Sequence, residues 1–236
     1  MKICFISHSA SSSAAGIYEI EKALANELIQ SHQCDIDVVA FNDKHFDKRD
    51  WPNANIKIFE PKYKKTFSYS RKMRNHVLSQ DYDLIHLHNL WTYPSMITKK
   101  ANIKNNIPIV ITPNGMLDNW ALNNSKYKKM IAKFFFETRN IKKASLIHVN
   151  TIKEAKDVRS LGFKNPLALI PNGVDINEIE RDIDNLVIKN TINNEYISKY
   201  KNILGKINYL DDNYNTNITT IKKICEQNKK VILKKI

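Results

Sequence analysis

The stretch IVITPNGMLDNW, residues 109–120, shows on a small scale how most of the chain is organised. The apolar run Ile109–Ile111 is typical of a buried strand, and Pro113–Gly115 is a turn. Trp120 follows in what should be a surface loop. A tryptophan just past the end of a strand has two explanations: either the loop packs back on the protein body, or it walls a pocket.

Apolar runs and stretches of helical periodicity alternate on both sides of this segment, from residue 2 to about residue 175. Most of the runs are apolar throughout, as expected when helices cover both faces of a parallel sheet. The sequence therefore predicts an α/β fold, with a doubly wound parallel sheet in residues 1–175. The predicted strands are 2–7, 36–41, 56–59, 83–88, 108–112, 146–149 and, with its turn, 167–175; the predicted helices are 17–30, 68–80, 94–105, 126–143 and 151–163.

The composition changes after Asp175. Asparagine becomes frequent, strand-like runs disappear, and only two weak amphipathic helices are indicated, near 195–203 and 219–236. Such a segment is typical of an appendage. We therefore expect residues 176–236 to be an irregular, partly helical tail rather than a complete second domain.

Composition also limits the class of protein. The chain has 236 residues, of which 42% are hydrophobic, enough for the core of one large domain. Cys4, Cys34 and Cys225 form neither a close pair nor a metal-binding spacing, so we expect reduced thiols, a cytoplasmic protein, and no metal or other cofactor. The first residues lack a signal-peptide pattern, and no segment approaches the roughly 20 apolar residues of a membrane span.

The formal net charge is +13, from 37 Lys and Arg against 24 Asp and Glu. This excess favours anionic partners, namely nucleic acid, an anionic membrane face or phosphorylated small molecules; a lysine-rich solvated surface would also explain it. Neither a stacking platform nor a recognition helix is evident, so nucleic acid is not expected as a partner.

The predicted helix 126–143 carries lysines beside Phe134–Phe136. A basic flank beside aromatic residues suits an anionic bilayer surface, although a half-buried helix with a solvated flank has the same pattern. The stripe expected to face the core consists of Tyr127, Met130, Ile131, Phe134, Thr138 and Ile141.

Four unusual loops each follow a predicted strand. They are HSASSSAAG (8–16), HLHNLWTY (86–93), TPNGMLDNW (112–120) and PNGVD (171–175). In a doubly wound sheet, ligands bind in the crevice beyond the carboxyl ends of the strands. These loops are therefore expected to line one functional edge, and Trp120 to belong to it.

Two histidines alternate on one predicted strand, so the side chains of His86 and His88 should point the same way. His88 is nearer the strand end and is a candidate hydrogen-bonding or acid–base group. The alternative is a satisfied imidazole in the core, which is the interpretation we favour for His86. No third ligand lies nearby in the sequence, so a metal site is not predicted.

The remaining candidates are a glycine, two loop residues and two tryptophans. Gly16 opens the first helix, where main-chain N–H groups could approach a phosphate, or it is a plain helix-entry residue. Asn114 and Gly115 offer donors that suit a polyol or a phosphate. Trp91 and Trp120 offer flat apolar faces of the kind on which sugars stack, although structural packing explains Trp120 equally well.

Four segments together resemble the amino-terminal half of the family 4 (group 1) glycosyltransferases. They are DLIHLHNLW, PIVITPNGMLDNWAL, KKMIAKFFFETRNIKKASLIHVNTIKEAKDVRSLGF and LALIPNGVD, and the resemblance covers about residues 1–175. It implies a Rossmann-like domain of the GT-B fold and retaining sugar transfer from a nucleotide sugar. It also implies a role in lipopolysaccharide, capsule or other surface polysaccharide assembly.

The resemblance also implies roles for residues at four loops. Gly16 stands where a glycine approaches the donor diphosphate. His88, with Asn89 and Trp91, stands at a strand end that faces the acceptor cleft. Asn114 and Gly115 stand in the loop that faces the reacting sugar, which makes His88 and Asn114 the candidate catalytic residues. Asn172 and Gly173 mark the hinge between the two domains of the fold.

Three departures from the family pattern matter. Ala14-Ala15-Gly16 replaces a usual Gly-Gly pair, and Asn114 replaces a basic residue. Nothing after Asp175 resembles the donor-binding second domain. We therefore expect a glycosyltransferase-like protein that binds nucleotide sugar weakly alone and acts on a lipid-linked or saccharide acceptor. It either needs a partner chain that supplies the second domain or is a truncated and inactive remnant. The alternative is a non-catalytic module that binds an anionic lipid-linked sugar or the inner membrane face.

Overall fold

A computed structural model describes residues 1–62, 67–124 and 126–173. Its seven strands form one sheet, in the order β3-β2-β1-β4-β5-β6-β7, with every neighbouring pair parallel. The predicted doubly wound, Rossmann-like fold is confirmed. The strands are β1 Lys2–Ser9, β2 Asp35–Phe41, β3 Asn55–Phe59, β4 Leu84–Leu87, β5 Ile109–Ile111, β6 Leu146–Val149 and β7 Leu167–Leu169.

Some of the helices begin at a residue whose side chain accepts one of their free N–H groups. Ser70 accepts from the N–H of Met73 at the start of α2, and Thr151 accepts from the N–H of Glu154 at the start of α7. The helices are α1 Gly16–Gln30, α2 Arg71–Ser79, α3 Tyr93–Asn105, α4 Asn119–Asn123, α5 Lys126–Ala132, α6 Thr138–Lys143 and α7 Ile152–Ser160, with a π-helical segment at Lys133–Glu137 between α5 and α6.

The sheet has a hydrophobic cluster on each face. On one face, Cys4 and Ile6 of β1 join residues of α2, α3, α6 and α7. On the other face, Ile3 and Phe5 join residues of α1 and the buried Trp51. Alternate residues of a strand point to opposite faces, so β1 contributes to both clusters, and this explains its apolar run.

The helical region 126–143 departs from the sequence prediction. The predicted buried stripe is wrong, because Met130, Ile131 and Phe134 are exposed while Phe136 and Glu137 are buried. The π segment is the cause: a π turn contains an extra residue, so the residues after it no longer continue the period of those before it. Of the predicted stripe, Ile141 is buried.

The remaining expectations concern the segment around Trp120, the cysteines, the tail and membrane-spanning helices. Trp120 lies in the short helix α4, which the sequence did not predict, and Asp118 caps that helix by accepting the N–H of Trp120. Cys4 and Cys34 are buried, and the two do not form a disulfide bond with each other. Cys225, the tail 176–236 and its two helices lie outside the described residues. In the part of the chain that is described, no helix is both long enough and apolar enough to cross a bilayer.

Candidate functional site

Because all seven strands are parallel, the loops after β1, β4, β5 and β6 lie at one edge of the sheet. Most of the residues singled out from the sequence belong to these loops. Several of their main-chain conformations are left-handed, with φ of 48° at Ala15, 65° at Trp91, 50° at Asn114 and 76° at Gly115. Backbone strain of this kind concentrates at functional sites.

His88 is the unusual side chain of this edge. It is only 1% exposed, and its ring centroid lies 4.9 Å from that of Phe5 and 4.1 Å from that of His86. Neither ring nitrogen has a hydrogen-bond partner among the described residues. Burial, and then the positive charge that His148 would carry, lower the pKa of His88 to about 3. The ring is therefore neutral at neutral pH, with one donor and one acceptor free for a ligand.

The other two buried histidines are satisfied. His148 Nε2 lies 3.0 Å from the carbonyl oxygen of Ile170, so that nitrogen must donate. Its Nδ1 then accepts from the Thr112 hydroxyl at 3.1 Å, and this hydroxyl accepts from His86 Nε2 at 2.7 Å. Burial is the largest cause that lowers the pKa of both rings, so both are neutral. His86 is thus the satisfied core imidazole that we expected.

Asn114 links the loop after β5 to His88. Its side-chain Nδ2 donates to the main-chain carbonyl of His88 at 3.0 Å, and its Oδ1 accepts from Asn150 Nδ2 at 3.0 Å. The N–H of Gly115 donates to Glu154 Oε1. The structure therefore brings His88, Asn114 and Gly115 together, but these donors are engaged within the protein rather than turned to a ligand.

Asn89 and Trp91 hold the loop after β4. Asn89 Oδ1 accepts the N–H of His8 at 3.0 Å, which ties this loop to the end of β1. The indole N–H of Trp91 donates to the Met116 carbonyl at 3.3 Å, and the ring packs against the core. The main-chain N–H of Trp91 donates to Glu137 Oε2 at 2.6 Å.

Two carboxylates of this network were missed from the sequence. Glu137 is 0% exposed, and burial raises its pKa to about 7 despite hydrogen bonds from Trp91 and Asn140 that lower it. Glu154 accepts the N–H groups of Gly115 and Asn150. The motif Thr151-x-x-Glu154 is a capping-box pattern and signalled a helix start, but nothing local indicated that its carboxylate reaches another loop.

The loop after β1 combines a helix start with an anionic group. Gly16 begins α1, and a Cβ atom placed on it would meet nothing within 4 Å, so its main chain is open to approach. Asp43, a residue that we did not single out, accepts the hydroxyls of Ser9, Ser11 and Ser13. Burial would raise the pKa of Asp43, but these bonds and the His45 N–H lower it below its usual value.

The loop that contains Trp120 packs on the core, but the Trp120 side chain does not. The loop packs back on the core through Leu117, which is buried, and Met116. Trp120 itself is 77% exposed, so core packing does not explain it. No contact of its ring with His88 or Asn114 is present among the described residues. Asn172 and Gly173 are exposed and lie at the end of the described range.

Two solved structures with TM-scores above 0.5 support the fold assignment. Crystal structures of HepE from Anabaena, one in complex with UDP and glucose and another with UDP, match with TM-scores of 0.52 at 16% and 17% identity. Each match covers 75% of this chain, and 46% and 45% of HepE. Sucrose-phosphate synthase from Thermosynechococcus elongatus matches with a TM-score of 0.49 at 15% identity, covering 75% of this chain and 49% of the synthase.

The chain thus spans about half the length of the solved structures that it matches. No curated protein matches its sequence significantly. The family described as Glycosyltransferase Family 4 matches residues 22–178, which is more than half of the chain and includes the loops after β2, β4, β5 and β6. On this match, with the fold and the strand-end loops in agreement, the chain belongs to Glycosyltransferase Family 4.

Proposed function

We propose that the chain is the acceptor-side domain of a retaining glycosyltransferase that uses a nucleotide sugar. One observation carries the proposal: a neutral, buried imidazole without a protein partner, His88, lies at the ligand-binding edge of the sheet. A buried polar group normally has a partner, so the free nitrogens of His88 suit a sugar hydroxyl. The UDP and the glucose in the HepE structures support the same class of ligand.

In the proposed reaction, the acceptor hydroxyl attacks the anomeric carbon from the face that the leaving diphosphate occupies. The new bond joins the acceptor oxygen to the anomeric carbon, the bond from that carbon to the phosphate oxygen breaks, and the hydroxyl proton passes to the diphosphate. The protein contributes positioning and electrostatic stabilisation. His88 would orient a hydroxyl, and the start of α1 at Gly16 would face the diphosphate. Asn114 carries no charge, so it cannot neutralise the leaving group.

The donor site is the incomplete part of this proposal. Residues 1–175 form the acceptor-side domain, and we expect residues 176–236 to be an appendage and not a donor domain. One helix N-terminus contributes only about 0.3–2 kcal/mol toward an anion, whereas micromolar binding needs about 8 kcal/mol. We therefore propose that efficient donor binding needs a second domain beyond the hinge at Asn172-Gly173, which a partner chain could supply, and that residues 1–236 alone bind nucleotide sugars no better than millimolar.

A lipid-linked acceptor at the cytoplasmic face of the inner membrane fits the surface of helix α5 and the π segment. Four neighbouring apolar side chains are exposed there: Met130, Ile131, Phe134 and Phe135. Lys133, Arg139, Lys142 and Lys143 lie in the same stretch. Apolar side chains beside cations favour peripheral binding to anionic lipid. We propose such a surface for assembly of lipopolysaccharide, capsule or a related surface polysaccharide.

The second candidate is a non-catalytic module that binds an anionic lipid-linked sugar or the membrane and recruits an enzyme. The engaged donors of Asn114 and Gly115 favour it, because the buried polar atoms of this cluster that have no partner are then the ring nitrogens of His88 and the Oδ1 of Asn150. The two functions differ in one outcome: only the first allows sugar transfer once a second domain is present.

A transfer assay tests the proposal. The purified chain is incubated with UDP- and GDP-sugars and a lipid-linked acceptor, with and without a candidate chain that carries a donor domain. We expect turnover only in the mixture, and we expect its loss with His88→Leu. Turnover by the chain alone would contradict the partner requirement. Turnover that survives His88→Leu would contradict the site, and saccharide binding without turnover in any mixture would favour the recruiting module.

A further inference from the structure

Trp91 adopts a main-chain conformation that tryptophan rarely adopts. Its φ is 65°, in the left-handed region where a bulky side chain meets the main chain. Such a conformation persists only when surrounding contacts determine it. Trp91 lies three residues after His88, so the contacts that fix the conformation of Trp91 also fix the end of the loop that begins at His88.

The contact that acts directly on this main chain comes from Glu137. Its Oε2 accepts the N–H of Trp91 at 2.6 Å, and Asn140 Nδ2 donates to its Oε1 at 3.2 Å. The indole N–H of Trp91 and the N–H of Leu90 bind Met116 at 3.3 Å, which orients the side chain and the preceding peptide. Above pH 7, where Glu137 is mostly ionised, a hydrogen bond to its carboxylate is stronger than one between neutral groups.

Besides the Trp91 N–H, Glu137 accepts hydrogen bonds from the side chains of Asn140 and Ser95, and it takes part in no ion pair among the described residues. It is fully buried, and a buried carboxyl group is costly unless it is hydrogen-bonded or paired. The ion pairs found in the described ranges use other carboxylates, those of Glu19, Asp47, Asp118 and Asp157. Glu137 ends the π segment, and π turns occur frequently at functional sites. Here the π turn buries Phe136 and Glu137 side by side.

A second carboxylate holds the neighbouring loop in the same way. Glu154 of α7 accepts the N–H of Gly115, whose φ is 76°. His88 lies between the two tethered loops, since Asn114 donates to its carbonyl. We propose that Glu137 is a positioning residue that holds Trp91 in its left-handed conformation and thereby fixes the loop after β4 beside His88. The inference depends on the proposed function only in that this loop belongs to the proposed site.

Amide NMR and hydrogen exchange on the full chain, without any sugar, test the proposal. Glu137→Leu keeps the volume and removes the acceptor, so exchange at the Trp91 N–H should accelerate on the order of tenfold or more. Glu137→Gln keeps an acceptor, so protection should return while the Trp91 proton resonance moves upfield because the bond is weaker. The matched control, Glu154→Gln, should move the Gly115 resonance and leave Trp91 unchanged.

Two results would overturn the proposal: unchanged exchange at Trp91 in Glu137→Leu, or an unmoved Trp91 resonance in Glu137→Gln. If Glu137→Leu does not fold, the resonance in Glu137→Gln decides alone, because glutamine keeps the size and one oxygen acceptor. These measurements need no ligand. Failure here would leave the sugar-transfer proposal standing, and failure of the transfer assay would leave the role of Glu137 standing.

Discussion

At the scale of single residues, the two buried histidines His88 and His148, which come from different parts of the sheet, should respond oppositely to substitution by leucine. His88→Leu removes two polar atoms without partners, so we expect the free energy of unfolding to rise by about 1 kcal/mol while sugar binding is lost. His148→Leu removes the acceptor of the Thr112 hydroxyl proton and the side-chain donor to the Ile170 carbonyl, and should lower the free energy of unfolding by about 1–3 kcal/mol. Urea unfolding measures both; equal destabilisation by the two variants would show that His88 has a structural partner.

Ala15 provides a second residue-scale prediction. Its φ of 48° and ψ of −129° suit glycine and strain any residue with a Cβ atom. Ala15→Gly should therefore raise the free energy of unfolding by about 1 kcal/mol, although glycine usually destabilises. Ala14→Gly, in the adjacent 3-10 turn, is the matched control and should lower it. Thermal unfolding decides, and a lower melting temperature for Ala15→Gly would contradict the strain.

Residue identities predicted the site only in part. The alternation of His86 and His88 predicted that both rings lie on the same side of the strand. The distance of 4.1 Å between their ring centroids confirms this. Which imidazole is satisfied depends on Thr112, a residue 26 positions from His86, and so could not be derived from local pattern. Glu137 and Asp43 act through contacts across long sequence separations and were missed for the same reason.

At the scale of elements, the strands were predictable, whereas the short helix α4 and the buried face of the helical region 126–143 were not. Buried parallel strands are continuous apolar runs, so their positions followed from the sequence. The sequence also predicted the helical region 126–143, but not which of its faces is buried. The π segment interrupts the helical period, and a predicted buried stripe depends on that period. As a result Phe134 is 80% exposed and Phe135 is 66% exposed.

This exposed surface leads to a prediction about vesicles. The double variant Phe134→Ser/Phe135→Ser should bind vesicles of phosphatidylglycerol and phosphatidylethanolamine at least about tenfold more weakly than the parent chain, because burial of a phenylalanine is worth about 1.5–3 kcal/mol. Binding of the parent should weaken with added salt. Co-sedimentation measures both effects. Ile152→Ser, another exposed apolar position, is the control, and equal loss in it would contradict a specific membrane surface.

At the scale of the whole molecule, the buried titratable groups predict how stability depends on pH. Burial raises the pKa of Glu21 to about 8 and of Glu137 to about 7, so their contribution is complete below about pH 4.5 and is lost as the pH rises through 7 to 8. Burial lowers the pKa of His86, His88 and His148, so their contribution is present above about pH 6.5 and is lost as the pH falls.

Together, the two glutamates and the three histidines place the maximum of the free energy of unfolding near pH 6. This free energy should fall by on the order of a few kcal/mol by pH 9. Urea unfolding at a series of pH values measures this curve. Glu137→Gln should flatten its alkaline side, because glutamine does not ionise. An alkaline decline that is equally steep in this variant would show that other groups cause it.

If His88 binds a sugar on a domain that holds only part of a donor site, its ring resonances should report that binding. NMR of the full chain with labelled histidines, titrated with UDP-glucose, tests it most directly. The account predicts that the His88 ring resonances shift, with half-saturation in the millimolar range, and that exposed His45 does not respond. Saturation at micromolar concentrations would contradict the partial donor site, and a silent His88 at saturating sugar would contradict the site itself.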